Sequence, residues 1–132
     1  MRHRSALALA LVAVSGCALW PSAERSKEAI EHSAEQFGDN FQWQRWPQAA
    51  QQVHPDDRAA FLAFGSQLGD RLRITSFEIA TIEVDESGDA ASATVLFQLY
   101  RPPSIVEQTL VDRQQWVRER GNWFVRPALE RY

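Results

Sequence analysis

The 132 residues give room for one domain. The single cysteine excludes an internal disulfide, and a composition that is 45% hydrophobic and 23% charged is that of an ordinary globular protein. A net charge of −3, with no basic run, offers nothing to a phosphate backbone and argues against nucleic-acid binding.

The N-terminus carries the sharpest signal. Arg2, His3 and Arg4 form a short positive stretch, and Ala6 to Val14 is a run of small or apolar residues. That run is too short to span a bilayer, which takes about 20 residues, but it suits the apolar region of an export signal. Val14-Ser15-Gly16-Cys17 follows. This resembles the lipobox of bacterial lipoproteins: an aliphatic residue, two small residues, then cysteine. The resemblance implies that the Cys17 thiol takes a diacylglyceryl group, that the chain is cut after Gly16 and that the new amino group is acylated. Small residues let an extended backbone enter a narrow protease site, and the thiol is the nucleophile there. Losing residues 1–16 removes Arg2 and Arg4 and takes the net charge from −3 to −5. Ala18, rather than an aspartate, follows the cysteine. In a Gram-negative cell this favours the outer membrane, facing the periplasm. The expected division is a signal at 1–16, a lipidated Cys17 with a short tether to 21, and one domain over 22–132.

Ser22 is a good N-cap. Ile30, Ala34, Phe37 and Phe41 recur at helical spacing and predict a first helix over about 22–37, with Gly38 as its stop. Asp39 with Gln42 reads as a capping box for a second, short helix carrying Trp43 and Trp46, which Pro47 either breaks or restarts. His54-Pro55-Asp56-Asp57 opens a third helix with Phe61, Phe64 and Leu68 on its apolar face; Gly65 weakens that helix and Gly69 ends it.

From Leu72 the period becomes two. Residues 72–84 read as a strand whose apolar parity switches between Ile79 and Ile82, which predicts a bulge. Glu86 to Asp89 is a turn, and Ala91, Ala93, Val95, Phe97 and Leu99 alternate in a second strand. Pro102-Pro103 ends it. A third strand is expected over 105–118, then a tight turn at 119–122 and a fourth strand from Trp123 to Arg126. With a hairpin at Arg120-Gly121, Trp116 falls nearly opposite Val125 and Trp123 nearly opposite Arg118, and at least one of the two rings is core. Helices followed by a meander predict an α+β domain, its N-terminal helices packed on a curved four-stranded antiparallel sheet with the second and third strands central.

The order resembles the nuclear-transport-factor-2-like (ketosteroid-isomerase-like) superfamily over about residues 22–127. The residues that carry the resemblance are Phe37-Gly38-Asp39, the Pro55…Arg58…Phe61 helix, Gly88-Asp89-Ala90 leading into Ala93-Thr94-Val95, and Gln115-Trp116-Val117 before Gly121-Asn122-Trp123. The resemblance implies a cone between helices and sheet. Its enzymes place a carboxylate base and Tyr or Asp donors inside the cone, and Asp112, Tyr100 and Asp39 are the equivalents available here.

Trp43, Trp46, Trp116 and Trp123, four of the five tryptophans, are candidates to line the mouth of the cone; filling the core accounts for them as well. His54, Asp56 and Asp57 match no standard metal spacing, and a helix N-terminus explains them. His32 falls among Glu28 and Glu35 on a charged helix face. Asp112 shares the parity of Leu110 and Trp116, so it points into the cone if theirs is the inner face. The weak catalytic candidate is therefore Asp112 with Tyr100. No glycine-rich phosphate loop, nucleophile elbow or paired cysteine motif occurs, so no cofactor and no metal is expected. The sequence favours a non-catalytic domain that binds a small apolar ligand or docks on an envelope protein. The alternative is a small isomerase- or dehydratase-type enzyme using the cone-interior carboxylate.

Overall fold

The computed structural model describes residues 20–132. The lipobox residues Val14 to Cys17 lie outside them. Three helices come first: α1 over Trp20–Gln42, α2 over Trp46–Ala50 and α3 over Arg58–Leu68. Four strands follow: β1 over Arg73–Val84, β2 over Ala90–Tyr100, β3 over Gln108–Glu119 and β4 over Asn122–Arg126. The sheet is antiparallel in the order β1-β2-β3-β4, with β2 and β3 central, and the helices pack on one face. This is the α+β arrangement expected from the single change of period near Leu72.

The first helix runs past its predicted stop. Gly38 lies within α1, and a Cβ there would sit 2.6 Å from the Phe77 ring of β1. The glycine serves close packing of helix on strand, and the helix continues through it. Asp39 then caps nothing; its carboxylate pairs with Arg45 at 2.9 Å on the surface. The chain turns at Gln44 (φ 54°), whose side-chain amide donates to the Gly69 carbonyl at 3.0 Å and ties this corner to the end of α3. Pro47 stands in the first turn of α2, where its missing N–H costs nothing. Trp43 therefore falls between helices, and Trp46 starts the second.

Gly65 is a second close approach. A Cβ there would lie 2.5 Å from Trp46, so the α2 indole rests on bare α3 backbone. Gly65→Ala is expected to destabilise: overpacking costs about 1–3 kcal/mol, more than the roughly 1 kcal/mol that alanine gains in helix propensity. Urea denaturation checks it, and an unchanged or higher midpoint would show that Trp46 yields freely.

The predicted bulge is present as a register shift between Ile79 and Thr81, and a second shift lies between Ile74 and Ser76. On β2, Ala91, Ala93, Val95, Phe97 and Leu99 are all buried against the helices, as strict alternation requires. The third strand begins three residues later than expected. Pro102 and Pro103 offer no backbone N–H, the Val106 N–H is taken by the Ser104 hydroxyl at 3.2 Å, and Ile105 and Val106 stand exposed in the loop. Trp116 pairs with Val125 and Arg118 with Trp123 across a two-residue turn in which Arg120 (φ 52°) and Gly121 (φ 79°) both have positive φ. The free edge of β4 is covered by residues 52–54, through Val125 N–H to Gln52 O at 2.8 Å and His54 N–H to Val125 O at 2.9 Å.

The core lies between the layers. Phe37 and Phe41 of α1, Phe61 of α3, Phe97 of β2 and Trp116 of β3 are all buried and in ring contact as one cluster.

Candidate functional site

Strand β3 breaks the apolar rule on its inner face. Asp112, opposite Val95, is 3% exposed, and Gln114, two residues on, is buried beside it. A buried polar side chain persists only with partners, and these two share a chain of them. The Trp116 indole N–H donates to Gln114 Oε1 at 3.2 Å, and the Gln114 amide donates to Asp112 Oδ2 at 3.3 Å. The Tyr132 hydroxyl donates to the same oxygen at 2.6 Å. Arg131 Nη1 stands 3.5 Å from the other oxygen, Oδ1, which is buried and accepts no hydrogen bond.

Burial pushes the Asp112 carboxyl above the usual carboxylate range, and the nearby Glu130 adds to this; the hydrogen bonds from Tyr132 and Gln114 and the charge of Arg131 pull the other way without winning. The Tyr132 phenol is pushed well above its ordinary value, first by burial and then by the charge and hydrogen bond of Asp112. Tyr132 is therefore a neutral donor at any working pH. The raised Asp112 value has a direct consequence for stability. A group that binds its proton more tightly in the fold stabilises it fully below the ordinary carboxylate value, and that stability is lost as pH rises through the raised value. Asp112→Asn removes the titration. The substituted chain should gain stability relative to the original as pH rises from about 3.5 to 8, each tenfold difference in proton affinity being worth about 1.4 kcal/mol. Paired denaturation curves across that range check it; a difference that does not vary with pH would mean that Asp112 is not desolvated.

Tyr100 takes no part in this network. It shares the parity of Leu96 and Gln98, on the sheet face away from the helices. The expected pairing of Asp112 with Tyr100 is thus replaced by a pairing with Tyr132, in the 3-10 turn Leu129–Arg131 and the residue after it. Asp39, with Arg45, is a surface group. The four tryptophans do not converge on one cleft. Trp116 is fully buried, its ring edge-on to Phe37 at 6.2 Å. Trp46 is partly buried, edge-on to Phe41 at 5.3 Å. Trp43 is 62% exposed, and Trp123 lies under the Arg118 guanidinium at 5.8 Å.

The His54 group is structural in its geometry. Nε2 lies 2.8 Å from Glu119 Oε1 and Nδ1 accepts the Asp56 N–H at 3.3 Å, so the ring caps the turn before α3 and braces it against the β3–β4 hairpin. Asp57 makes a forked pair with Arg126, which holds its carboxyl below the usual range. Among the described residues no group of three His, Cys, Asp or Glu side chains could hold a metal.

Helices on one face of a four-stranded antiparallel sheet, with an aromatic core between them, define a cystatin-like, nuclear-transport-factor-2-like fold, and solved structures agree. The chain is similar to a SEC-C motif containing protein from Rhodopseudomonas palustris (14% identity, 80% of this chain and 82% of that one, TM-score 0.63). It is similar to a domain of unknown function with a cystatin-like fold from Nostoc punctiforme (15% identity, 76% and 73%, TM-score 0.61). It is also similar to a proposed polyketide cyclase from Xanthomonas campestris (14% identity, 80% and 94%, TM-score 0.50). At these identities the likeness concerns the fold. No protein-family model matches the sequence, and no curated protein does.

Proposed function

We propose that this chain is a bacterial lipoprotein, anchored to the cell envelope by acyl groups on Cys17 (in a Gram-negative cell, to the outer membrane facing the periplasm), whose interior binds a small, largely apolar ligand without transforming it. The address rests on Arg2 to Cys17, read as an export signal with a lipobox. The role rests on one observation above others: the buried carboxylate of the cone, Asp112, is already engaged by Tyr132, Gln114 and Arg131. A general base must have its proton-accepting oxygen free to reach a substrate, and Oδ2 here carries two donors. An aromatic interior with a few convergent polar groups is instead the usual make-up of a small-molecule site.

The runner-up is an isomerase- or dehydratase-type enzyme with Asp112 as base. The raised proton affinity of Asp112 favours it, as does Oδ1, which faces Arg131 but accepts no hydrogen bond. A panel of small apolar molecules (toluene, indole, p-cresol) tests the binding reading. At least one should raise the melting temperature of the full chain, the added stability being about 2.7 kcal/mol at a hundred times its Kd. No shift from any of them up to their solubility would defeat the pocket.

A further inference from the structure

The C-terminal end of α1 carries a polar stripe that the core does not use. Gln36, Asp39, Asn40 and Trp43 recur at i, i+3, i+4 and i+7, so their Cβ atoms leave one face of the helix. The Trp43 N–H still donates to the Asp39 carbonyl at 3.1 Å, which keeps Trp43 on that stripe just beyond the end of α1. A second stripe stands beside it. Gln48 of α2 is followed at i+3 and i+4 by Gln51 and Gln52, whose N–H groups bond back to the Gln48 and Ala49 carbonyls at 3.2 and 3.0 Å. Between the stripes lies an open groove of about 400 Å³, lined by Gln36, Asp39, Asn40, Gln48, Gln51 and Gln52. That volume falls within the roughly 300–1,000 Å³ of small-molecule sites. None of the residues of the aromatic core lines it.

The lining is almost wholly carboxamide. Arg45 donates to Asp39 Oδ2 at 2.9 Å and to Asn40 Oδ1 at 3.3 Å, which pairs the single carboxylate and leaves the Asn40 NH₂ group as donor. Gln52 Nε2 donates to the Ser33 carbonyl at 2.8 Å and braces the corner after α2 against α1. Its Oε1, buried at the floor, accepts no hydrogen bond, the kind of orphan that calls for a donor. Gln36, Gln48 and Gln51 are exposed, and among the described residues their amides make no hydrogen bond. We infer that this groove binds a neutral saccharide, its hydroxyls on the amides of α1 and α2 and one pyranose ring laid on the Trp43 indole. The class follows from the chemistry of the walls. A hydroxyl both donates and accepts, and so does a carboxamide, so each can meet the other in either sense. An ionic ligand would find no unpaired opposite charge here, and an apolar one no apolar wall. A peptide strand needs unpaired backbone groups such as a sheet edge offers, and helix walls have spent theirs. Trp43 supplies the remaining element. Its ring is 62% exposed at the end of an otherwise polar stripe, and a pyranose with equatorial hydroxyls presents a flat C–H face that packs on an aromatic one. This site and the apolar ligand proposed for the core are independent of each other.

The probes are cellotetraose and chitotetraose, its 2-acetamido counterpart, with N-acetyl-tetraalanine amide as the peptide control. They are titrated into the full chain in micelles of a sugar-free detergent. The chain has five tryptophans, so labelling with 5-fluorotryptophan gives five fluorine resonances, and Trp43→Phe identifies that of Trp43 by its loss. At least one saccharide should move the Trp43 resonance saturably and leave that of the buried Trp116 in place, and the peptide should move neither. By calorimetry, Trp43→Ala should weaken the same saccharide about tenfold or more, and so should Gln48→Ala with Gln51→Ala. All three side chains are exposed, so the variants should keep the urea midpoint of the original, which separates lost binding from lost folding. A Trp43 resonance unmoved by either saccharide up to its solubility defeats the site. Saccharide binding of equal strength in the original and in folded Trp43→Ala places the sugar elsewhere and defeats it too. A peptide that moves the Trp43 resonance as the saccharides do defeats the ligand class.

Discussion

Replacing Trp116 with alanine should cost about 3–5 kcal/mol, the range for a large ring removed from a packed interior. The ring is fully buried, edge-on to Phe37, and its indole N–H ends the polar chain through Gln114 to Asp112. Three losses coincide: the apolar area, a cavity that the surrounding helix and sheet residues cannot close, and a donor whose removal leaves Gln114 Oε1 without a partner. A domain of this size has about 5–15 kcal/mol in all. At about 4–8 °C per kcal/mol, the melting temperature should fall by roughly 12 °C or more, and the less stable end of that range implies a largely unfolded chain. Trp123→Ala is the matched control: Trp123 lies two residues beyond the turn and itself pairs with Arg118. Its ring is only partly buried and rests under Arg118, an exposed cation contact worth about 0.5–1 kcal/mol. Its effect should be a small fraction of the Trp116 effect. Near-equal melting temperatures for the two variants would mean that Trp116 is not the keystone of the sheet face.

The contrast between those two tryptophans was legible in the sequence because strands have a period of two. Once Arg120-Gly121 is read as the turn, the pairing of Trp116 with Val125 and of Trp123 with Arg118 follows, and so do their faces. The bulge near Ile79 was legible for the same reason: a parity change in a strand requires an extra residue. What failed were the signals that rest on one residue type. Gly38 reads as a helix stop, but a glycine also permits close packing, and only the position of Phe77 decides which. The run Ile105-Val106 reads as strand, but two preceding prolines leave it in an exposed loop.

The candidate site was half legible. Asp112 could be placed on the inner face from its parity with Trp116. Its partner could not be placed, because Tyr132 stands beyond the last strand, in a turn with no periodicity to carry a prediction. Tyr100 is the tyrosine that the resemblance offers, but its own parity with Leu96 sends it to the other face. The aromatic mouth failed on similar grounds. Tryptophan count says how much ring area must be buried, not where, and Trp43, Trp46, Trp116 and Trp123 take four different environments.

Cys17→Ser should abolish fatty-acid labelling altogether, an all-or-none effect. The reasoning is chemical. Serine keeps the size and polarity of the side chain but not a thiolate, and thiolate is the form that attacks. Without the diacylglyceryl group the following cleavage after Gly16 should not occur, and the uncleaved precursor should accumulate. Anchoring should go with the label: each buried CH₂ is worth about 0.8 kcal/mol, and two or three long chains together hold far more firmly than a single one. The described residues contain no helix long and apolar enough to cross a membrane. Metabolic labelling with a radioactive fatty acid, followed by gel mobility of the product, separates the readings. Label retained in Cys17→Ser places the acyl group elsewhere and defeats the lipobox. A product that is unlabelled in both proteins and equally cleaved in both identifies an ordinary secretory signal, in which Cys17 is incidental. Label and processing lost together by the one-atom exchange of sulfur for oxygen is the outcome that Val14-Ser15-Gly16-Cys17 predicts.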